Sequence, residues 1–191
     1  MILYILTQND SKFHEISSIL AKYKIELKQL KEKKLELQLD DVAEIALYAV
    51  KAACKPPFIP IAVDDTALYI EALGGFPGPY AEYVYRKIGV NGIIRLLEDV
   101  ENRAAKFITA VAYCDGIEER VFQGVLEGSI SRTPKGNQGF GFDPIFVPEG
   151  ENKTLAEMTT EEKNRISHRG MAFRSMAEWL VTSGHLPSKK S

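Results

Sequence analysis

Ile61-Ala-Val-Asp-Asp-Thr-Ala-Leu-Tyr-Ile-Glu-Ala-Leu-Gly-Gly-Phe-Pro-Gly-Pro-Tyr80 is the stretch on which the fold is decided. Ile61 to Val63 is a short apolar run after Pro60 and reads as a buried strand. The pattern ends that strand at Asp64-Asp65-Thr66, and apolar residues resume at Leu68, Ile70 and Leu73. Two adjacent carboxylates at the end of a buried strand are costly unless a cation or hydrogen-bond donors meet them. Ligand sites in α/β folds favour the carboxyl ends of strands. The following Gly74-Gly-Phe-Pro-Gly-Pro79 is dense backbone punctuation: glycine permits close approach and positive φ, and proline fixes φ. Taken alone, Asp-Asp-Thr is most simply a turn, and the rest of the chain has to raise it above that.

Composition sets the outer bounds. A chain of 191 residues with 45% hydrophobic and 26% charged residues is expected to form one soluble domain, residues 1–191, with a real core. The net charge of −2 offers no broad basic surface for nucleic acid. No apolar run is long enough for a membrane span, and Met1 to Leu6 lacks the basic start and cleavage region of a signal peptide. A cytoplasmic location is the simplest expectation. Cys54 and Cys114 form no C-x-x-C pair and no metal-ligand spacing, so both read as small core residues in a reducing compartment.

In chain order, Ile2 to Leu6 predicts a first strand, and Phe13, Ile16, Ile19 and Leu20 fall at helical spacing. Asn9 or Asp10 can cap that helix. Thr7 to Lys12 is thus a strand-to-helix loop at the positive end of a helix, an arrangement that suits a phosphate although it is not a Walker A loop. Ile25 to Leu30 reads as a second strand and Lys31-Glu-Lys-Lys34 as a solvated charge run. Leu35 to Leu39 alternates, placing Glu36 and Gln38 on one face. Asp41 and Glu44 resemble a capping box for a helix that ends before Pro56-Pro57 and carries Lys51 near its C-terminus. Pro79 can open a helix that Gly89 ends, with a further helix beginning near Asn91. Lys106 to Tyr113 and Arg120 to Ile130 read as a hairpin around Asp115-Gly116. Thr133 to Pro144 is glycine-rich and not a dinucleotide fingerprint; glycines beside Phe140 and Phe142 let a flat ligand approach aromatic faces. Thr154-x-x-Glu157 and Thr159-x-x-Glu162 match capping boxes. Ser167 can cap a last helix whose first turn holds His168 and Arg169, cations that oppose the helix dipole unless an anion offsets them. Residues 187–191 read as a frayed tail.

Thr7-x-Asn9-x-x-Lys12-x-x-Glu15, Val63-Asp-Asp-Thr-Ala-Leu68, Gly75-Phe-Pro-Gly-Pro-Tyr80, Gly139-Phe-Gly-Phe-Asp-Pro-Ile-Phe146, Thr154-x-Ala-Glu-Met158 and Glu162-Lys-Asn-Arg-Ile-Ser-His-Arg169 stand in this order. Together they resemble the inosine triphosphate pyrophosphatase family, over nearly the whole chain to about Leu180. The resemblance implies an elongated α/β fold with a mixed sheet flanked by helices, and two lobes with the active cleft between them. It implies a homodimer, a Mg²⁺ requirement, and cleavage of ITP, dITP and XTP to monophosphate and pyrophosphate. By the same resemblance Thr7, Gln8, Asn9, Asp10, Ser11 and Lys12 form the phosphate loop, Asp65 is the catalytic carboxylate with Thr66 beside it, and Glu36 joins Asp65 in holding the metal, Asp64 being a further candidate. Lys51 is similar to a phosphate-contacting lysine. Phe140, Gly141, Phe142, Asp143, Lys163, His168 and Arg169 resemble the nucleobase pocket. Gln8, Ala67 and Phe142 depart from the usual pattern, and none removes a charged group.

The chemistry expected is attack on the α-phosphorus of a purine nucleoside triphosphate. Mg²⁺ suits carboxylates and phosphates, Asp65 would orient or deprotonate the attacking water, and Lys12 and Lys51 would meet phosphate charge. A donor fixed at the base O6, from Arg169 or a backbone N–H, would reject adenine. The rival readings are a related enzyme acting on pyrimidine or modified nucleotides and a catalytically silent nucleotide binder.

Overall fold

In the computed structural model, which describes residues 1–185, the apolar run at the start forms strand β1 (Ile2–Leu6). Helix α1 (Asp10–Leu20) follows, with Asn9 as its N-cap: the Asn9 side chain accepts a hydrogen bond from the Lys12 N–H at 3.0 Å. Strand β2 (Glu26–Leu30) lies parallel to β1, Ile2 opposite Glu26 and Leu6 opposite Leu30. Helix α2 (Val42–Ala53) is capped by Asp41, whose Oδ1 accepts from the Ala43 N–H at 2.8 Å. Strand β3 (Ile61–Ile70) is also parallel to β1, and the two-residue strand β4 (Pro77–Gly78) pairs antiparallel to it. Helix α3 (Ala81–Leu96) breaks at Gly89, whose φ of +61° and ψ of −169° fit no helix; the predicted boundary is therefore a kink between two helical stretches. Strands β5 (Ala104–Cys114), β6 (Glu119–Ile130) and β7 (Phe146–Pro148) follow, then helices α4 (Thr160–Ile166) and α5 (His168–Thr182).

The strands make one mixed sheet in the order β2-β1-β3-β5-β6-β7, with β4 on β3. By contacts along the chain there are two compact units. The first comprises residues 1–65, 109–124 and 169 onward, and the second residues 66–108 and 125–168. The core of the first is built from Leu3 and Ile5 of β1, Ile16 and Leu20 of α1, and Phe173 and Met176 of α5, all fully buried. In the second, Leu68, Ile93, Leu97, Ile145 and Phe146 are fully buried, and the Phe107 and Phe146 rings meet at 4.7 Å. Among the described residues no helix is long and apolar enough to cross a membrane. The tail expected at 187–191 lies outside the described residues.

Local signals translate faithfully. Thr154 with Glu157, and Thr159 with Glu162, both form reciprocal capping boxes. Three expectations are corrected. Strand β3 does not stop at Asp64 but continues through Asp65 and Thr66 to Ile70; pairing of its far end with β4 carries the backbone past the two carboxylates. Cys54 and Cys114 are not free thiols: they form a disulfide with Cα atoms 6.0 Å apart, which removes the argument for a reducing compartment. Lys34, read as part of a solvated charge run, is turned inward, its side chain only 16% exposed.

Candidate functional site

Successive side chains of a strand point to opposite faces, and β3 uses that rule to give Asp64 and Asp65 different partners. The Asp64 side chain is 1% exposed, and both Lys12 Nζ and Arg169 Nε lie 3.4 Å from its Oδ2. Arg169 also donates through Nη1 to Glu15 Oε2 at 2.9 Å. Lys12 and Glu15 are three residues apart on α1 and so share one helix face. The result is a buried alternation of charges, Glu15–Arg169–Asp64–Lys12. Burial alone would push the Asp64 carboxyl up, but the Lys12, Arg169 and Lys34 cations outweigh it and hold the group well below the ordinary carboxylate range. The anion expected to offset Arg169 in the first turn of α5 is supplied by the chain itself.

Asp65 has the opposite balance. Burial raises its pKa, Asp64 next to it raises it further, and Lys34 and Lys12 pull against that without cancelling it. Its principal partner is Lys34, whose Nζ donates to Asp65 Oδ1 at 2.5 Å and to the Asp64 carbonyl oxygen at 3.1 Å. The same ammonium lies 3.7 Å from Glu36 Oε1. A carboxylate whose pKa is raised is a better proton acceptor, when ionised, than an ordinary one.

Glu36 and Asp65 thus sit around a common point marked by an ammonium ion. Two hard carboxylate donors suit Mg²⁺, which characteristically takes one or two of them and completes its shell with phosphates and water. Among the described residues no group of three or more His, Cys, Asp or Glu is arranged to hold a metal, so phosphate oxygens and water would supply the remaining ligands.

Of the loop expected to hold phosphates, Thr7 is buried and its Oγ1 accepts from the Asn9 N–H at 3.2 Å. Asn9 is committed to its cap, while Gln8 and Ser11 are exposed. Asp10 is drawn to Lys31, 2.7 Å away, and to the Gln29 amide at 2.9 Å, which lower its pKa at an exposed position. Lys51 pairs with Glu119 at 3.1 Å in an exposed position.

The second unit holds the other candidate residues. Lys163 is 3% exposed; its Nζ donates to Asp143 Oδ2 at 2.7 Å and lies 4.8 Å from the Phe140 ring centre. The Phe140 N–H donates to the same Oδ2 at 2.9 Å. A Cβ at Gly139 would stand 2.1 Å from that oxygen, and its φ is +72°, so the loop closes on Asp143 only with glycine there. Phe142 is buried and meets Tyr85 edge-on at 5.4 Å; His168 stacks on Phe107 at 4.6 Å. Gly141, with φ +62°, lies between the two phenylalanines, and Thr66 continues β3 beyond Asp65. An aromatic ring under an ammonium and flanked by a fixed carboxylate can bind a flat, polar-edged ring.

Sequence reasoning assigned no part to Lys34 or Glu15. Glu15 had a signal, its three-residue spacing from Lys12. Lys34 had none, since a lysine within Lys-Glu-Lys-Lys looks solvated.

The model of the Ham1 family matches residues 3–179. A dITP/XTP pyrophosphatase of Pyrobaculum aerophilum is 49% identical over 181 residues, covering 95% of this chain and 97% of that protein. One from Saccharolobus solfataricus is 47% identical, covering 92% of each. Among solved structures, a HAM1 protein of Coxiella burnetii superposes with a TM-score of 0.81 at 31% identity, over 95% of this chain and all of that one.

Proposed function

The chain belongs to the Ham1 family, and from that premise we propose that it is a nucleoside triphosphate pyrophosphatase acting on non-standard purine nucleotides, dITP, XTP and ITP. The observation that carries the reading is the division of labour on β3: Asp64 is buried between Lys12 and Arg169, while Asp65 beside it meets Lys34, whose ammonium also lies 3.7 Å from Glu36.

Water attacks the α-phosphorus; a P–O bond forms as the bond from that phosphorus to the bridging oxygen of the β-phosphate breaks. Asp65 takes the proton from the water, and pyrophosphate leaves. Lys12, held toward β3 by Asp64, faces phosphate charge, as lysine does in other phosphoryl-transfer sites. Glu36 and Asp65 are assigned to Mg²⁺, which when bound neutralises charge on phosphate oxygens. In the second unit Phe140 is assigned to stack on the base, and Lys163, fixed by Asp143, to donate to its edge. An ammonium aimed at O6 is unmatched by the amino group of adenine, and mismatches of that kind are rejected by about 10⁴-fold. A homodimer and a cytoplasmic location belong to the same proposal.

The test is pyrophosphate release from ITP, XTP, dITP, ATP, GTP, CTP and UTP, with Mg²⁺ and with chelator. Metal-dependent release from ITP and XTP, with ATP and GTP poor, is expected. Asp65→Asn should lower turnover by about 10²- to 10⁴-fold, the usual worth of a general base, while circular dichroism and melting stay close to wild type. Undiminished turnover refutes the role. Preference for a pyrimidine discards the base assignment, and no release from any nucleotide favours a silent binder.

A further inference from the structure

The reaction as written gives Lys34 nothing to do, yet its ammonium is the most tightly committed cation near Asp65. Four methylene groups carry it inward from an irregular segment between β2 and α2, and its Nζ reaches three oxygens: Asp65 Oδ1, the Asp64 carbonyl and Glu36 Oε1, at 2.5, 3.1 and 3.7 Å. Two of those three belong to the side chains assigned to the metal. Asp64 does not need Lys34 to be neutralised, because Lys12 and Arg169 meet its carboxylate on the other face of the strand.

We propose that Lys34 is a built-in counter-ion: it occupies the Asp65–Glu36 carboxylate pair in the metal-free protein, and a divalent cation binds only by displacing it. This rests on the proposed function in one respect, the choice of Glu36 and Asp65 as ligands. An ammonium and a hard dication seek the same carboxylate lone pairs and repel each other at van der Waals range. Lysine suits the part better than arginine, being a compact charge on a flexible stem with no planar fork to hold it in place. Glu36 can follow, since its side chain is 63% exposed. The consequence is conditional loading. Free metal has to break the Lys34–Asp65 bond unaided, whereas a metal arriving with a triphosphate offers the expelled ammonium a new anionic partner.

Calorimetric titration of the full chain with Mn²⁺ alone, without nucleotide, reads this directly. Losing one charge-assisted hydrogen bond as the competitor should make Lys34→Met bind Mn²⁺ roughly ten- to a hundredfold more tightly than wild type; Lys34→Arg should stay near wild type. Equal or weaker binding in Lys34→Met, or no binding to either protein, overturns the proposal. A second measurement needs no variant: reductive methylation of wild-type lysines, read by peptide mass spectrometry, should label Lys34 faster when Mg²⁺ is added, and unchanged labelling overturns the proposal equally. Turnover is scored separately. Wild-type release of pyrophosphate from ITP with no gain in Mn²⁺ affinity in Lys34→Met removes the counter-ion and leaves the function. Tighter Mn²⁺ binding without turnover of any nucleotide does the reverse.

Discussion

Replacing Arg169 with methionine removes the cation at the centre of the buried Glu15–Arg169–Asp64–Lys12 network. Breaking a buried ion pair by deleting one partner costs about 3–5 kcal/mol, because a charge is left behind without water. Here Asp64 keeps Lys12 at 3.4 Å, so the loss falls mainly on the 2.9 Å bond to Glu15, and the lower figure, about 3 kcal/mol, is the expected one. For a chain of this size each kcal/mol moves the midpoint by about 2–4 °C, giving a fall of about 6–12 °C by scanning calorimetry at neutral pH with the disulfide intact. The sign of the pH dependence follows from Asp64. Its carboxyl is held below the ordinary value of 3.8, so its contribution to stability is fully present above that pH and is lost as pH falls below it. Arg169→Met weakens that contribution, so its deficit should narrow in acid, as Asp64 becomes protonated in both proteins. The double variant Arg169→Met/Glu15→Leu should recover part of the loss, since apolar replacement of a whole buried pair is often neutral or better. A midpoint shift under about 2 °C in the single variant, or no recovery in the double, refutes the account of the network as mutually compensating buried charge.

Gly139→Ala would set a methyl 2.1 Å from Asp143 Oδ2 at a φ of +72°; a loss of about 1–3 kcal/mol in urea unfolding, with weakened nucleotide binding, is expected. Cys54→Ser opens a cross-link spanning 60 residues of sequence, worth about 4 kcal/mol by chain entropy. The companion check is alkylation of wild type, which should add nothing before reduction and two groups after. Glu162, whose pKa is lowered to about 2 by Lys153 and by the Thr159 N–H, contributes stability above its ordinary value of 4.5 that is lost as pH falls through about 2. In Glu162→Gln the acid limb of the stability curve should flatten over that window.

What the sequence disclosed was whatever is settled within a few residues. The Asn9 cap, the two threonine capping boxes and the hairpin turn at Asp115 depend on side chains meeting nearby backbone, and the break at Gly89 on the positive φ that glycine allows. Strand β1 and the apolar faces of α1 and α2 could be read by period. The candidate site was legible as residue types in order, but not as partnerships. Lys34 meets Asp65 across 31 residues, Arg169 meets Asp64 across 105 and Glu15 across 154, and Cys54 meets Cys114 across 60. None of these has a local signature, because a buried lysine and a solvated one are spelled alike. The misplaced end of β3 has the same origin: two carboxylates look like the end of a strand until distant cations are known to meet them.

The disulfide has a topological consequence. It closes residues 54 to 114 into a covalent macrocycle, and both β3 carboxylates lie inside that ring while Lys12, Lys34 and Arg169 lie outside it. One peptide bond cut anywhere within the ring linearises it without releasing a fragment. A nicked chain should therefore run as one species until it is reduced; a cut before Asp64 then leaves both carboxylates on the fragment with Arg169, and a cut after Asp65 leaves both on the fragment with Lys12 and Lys34.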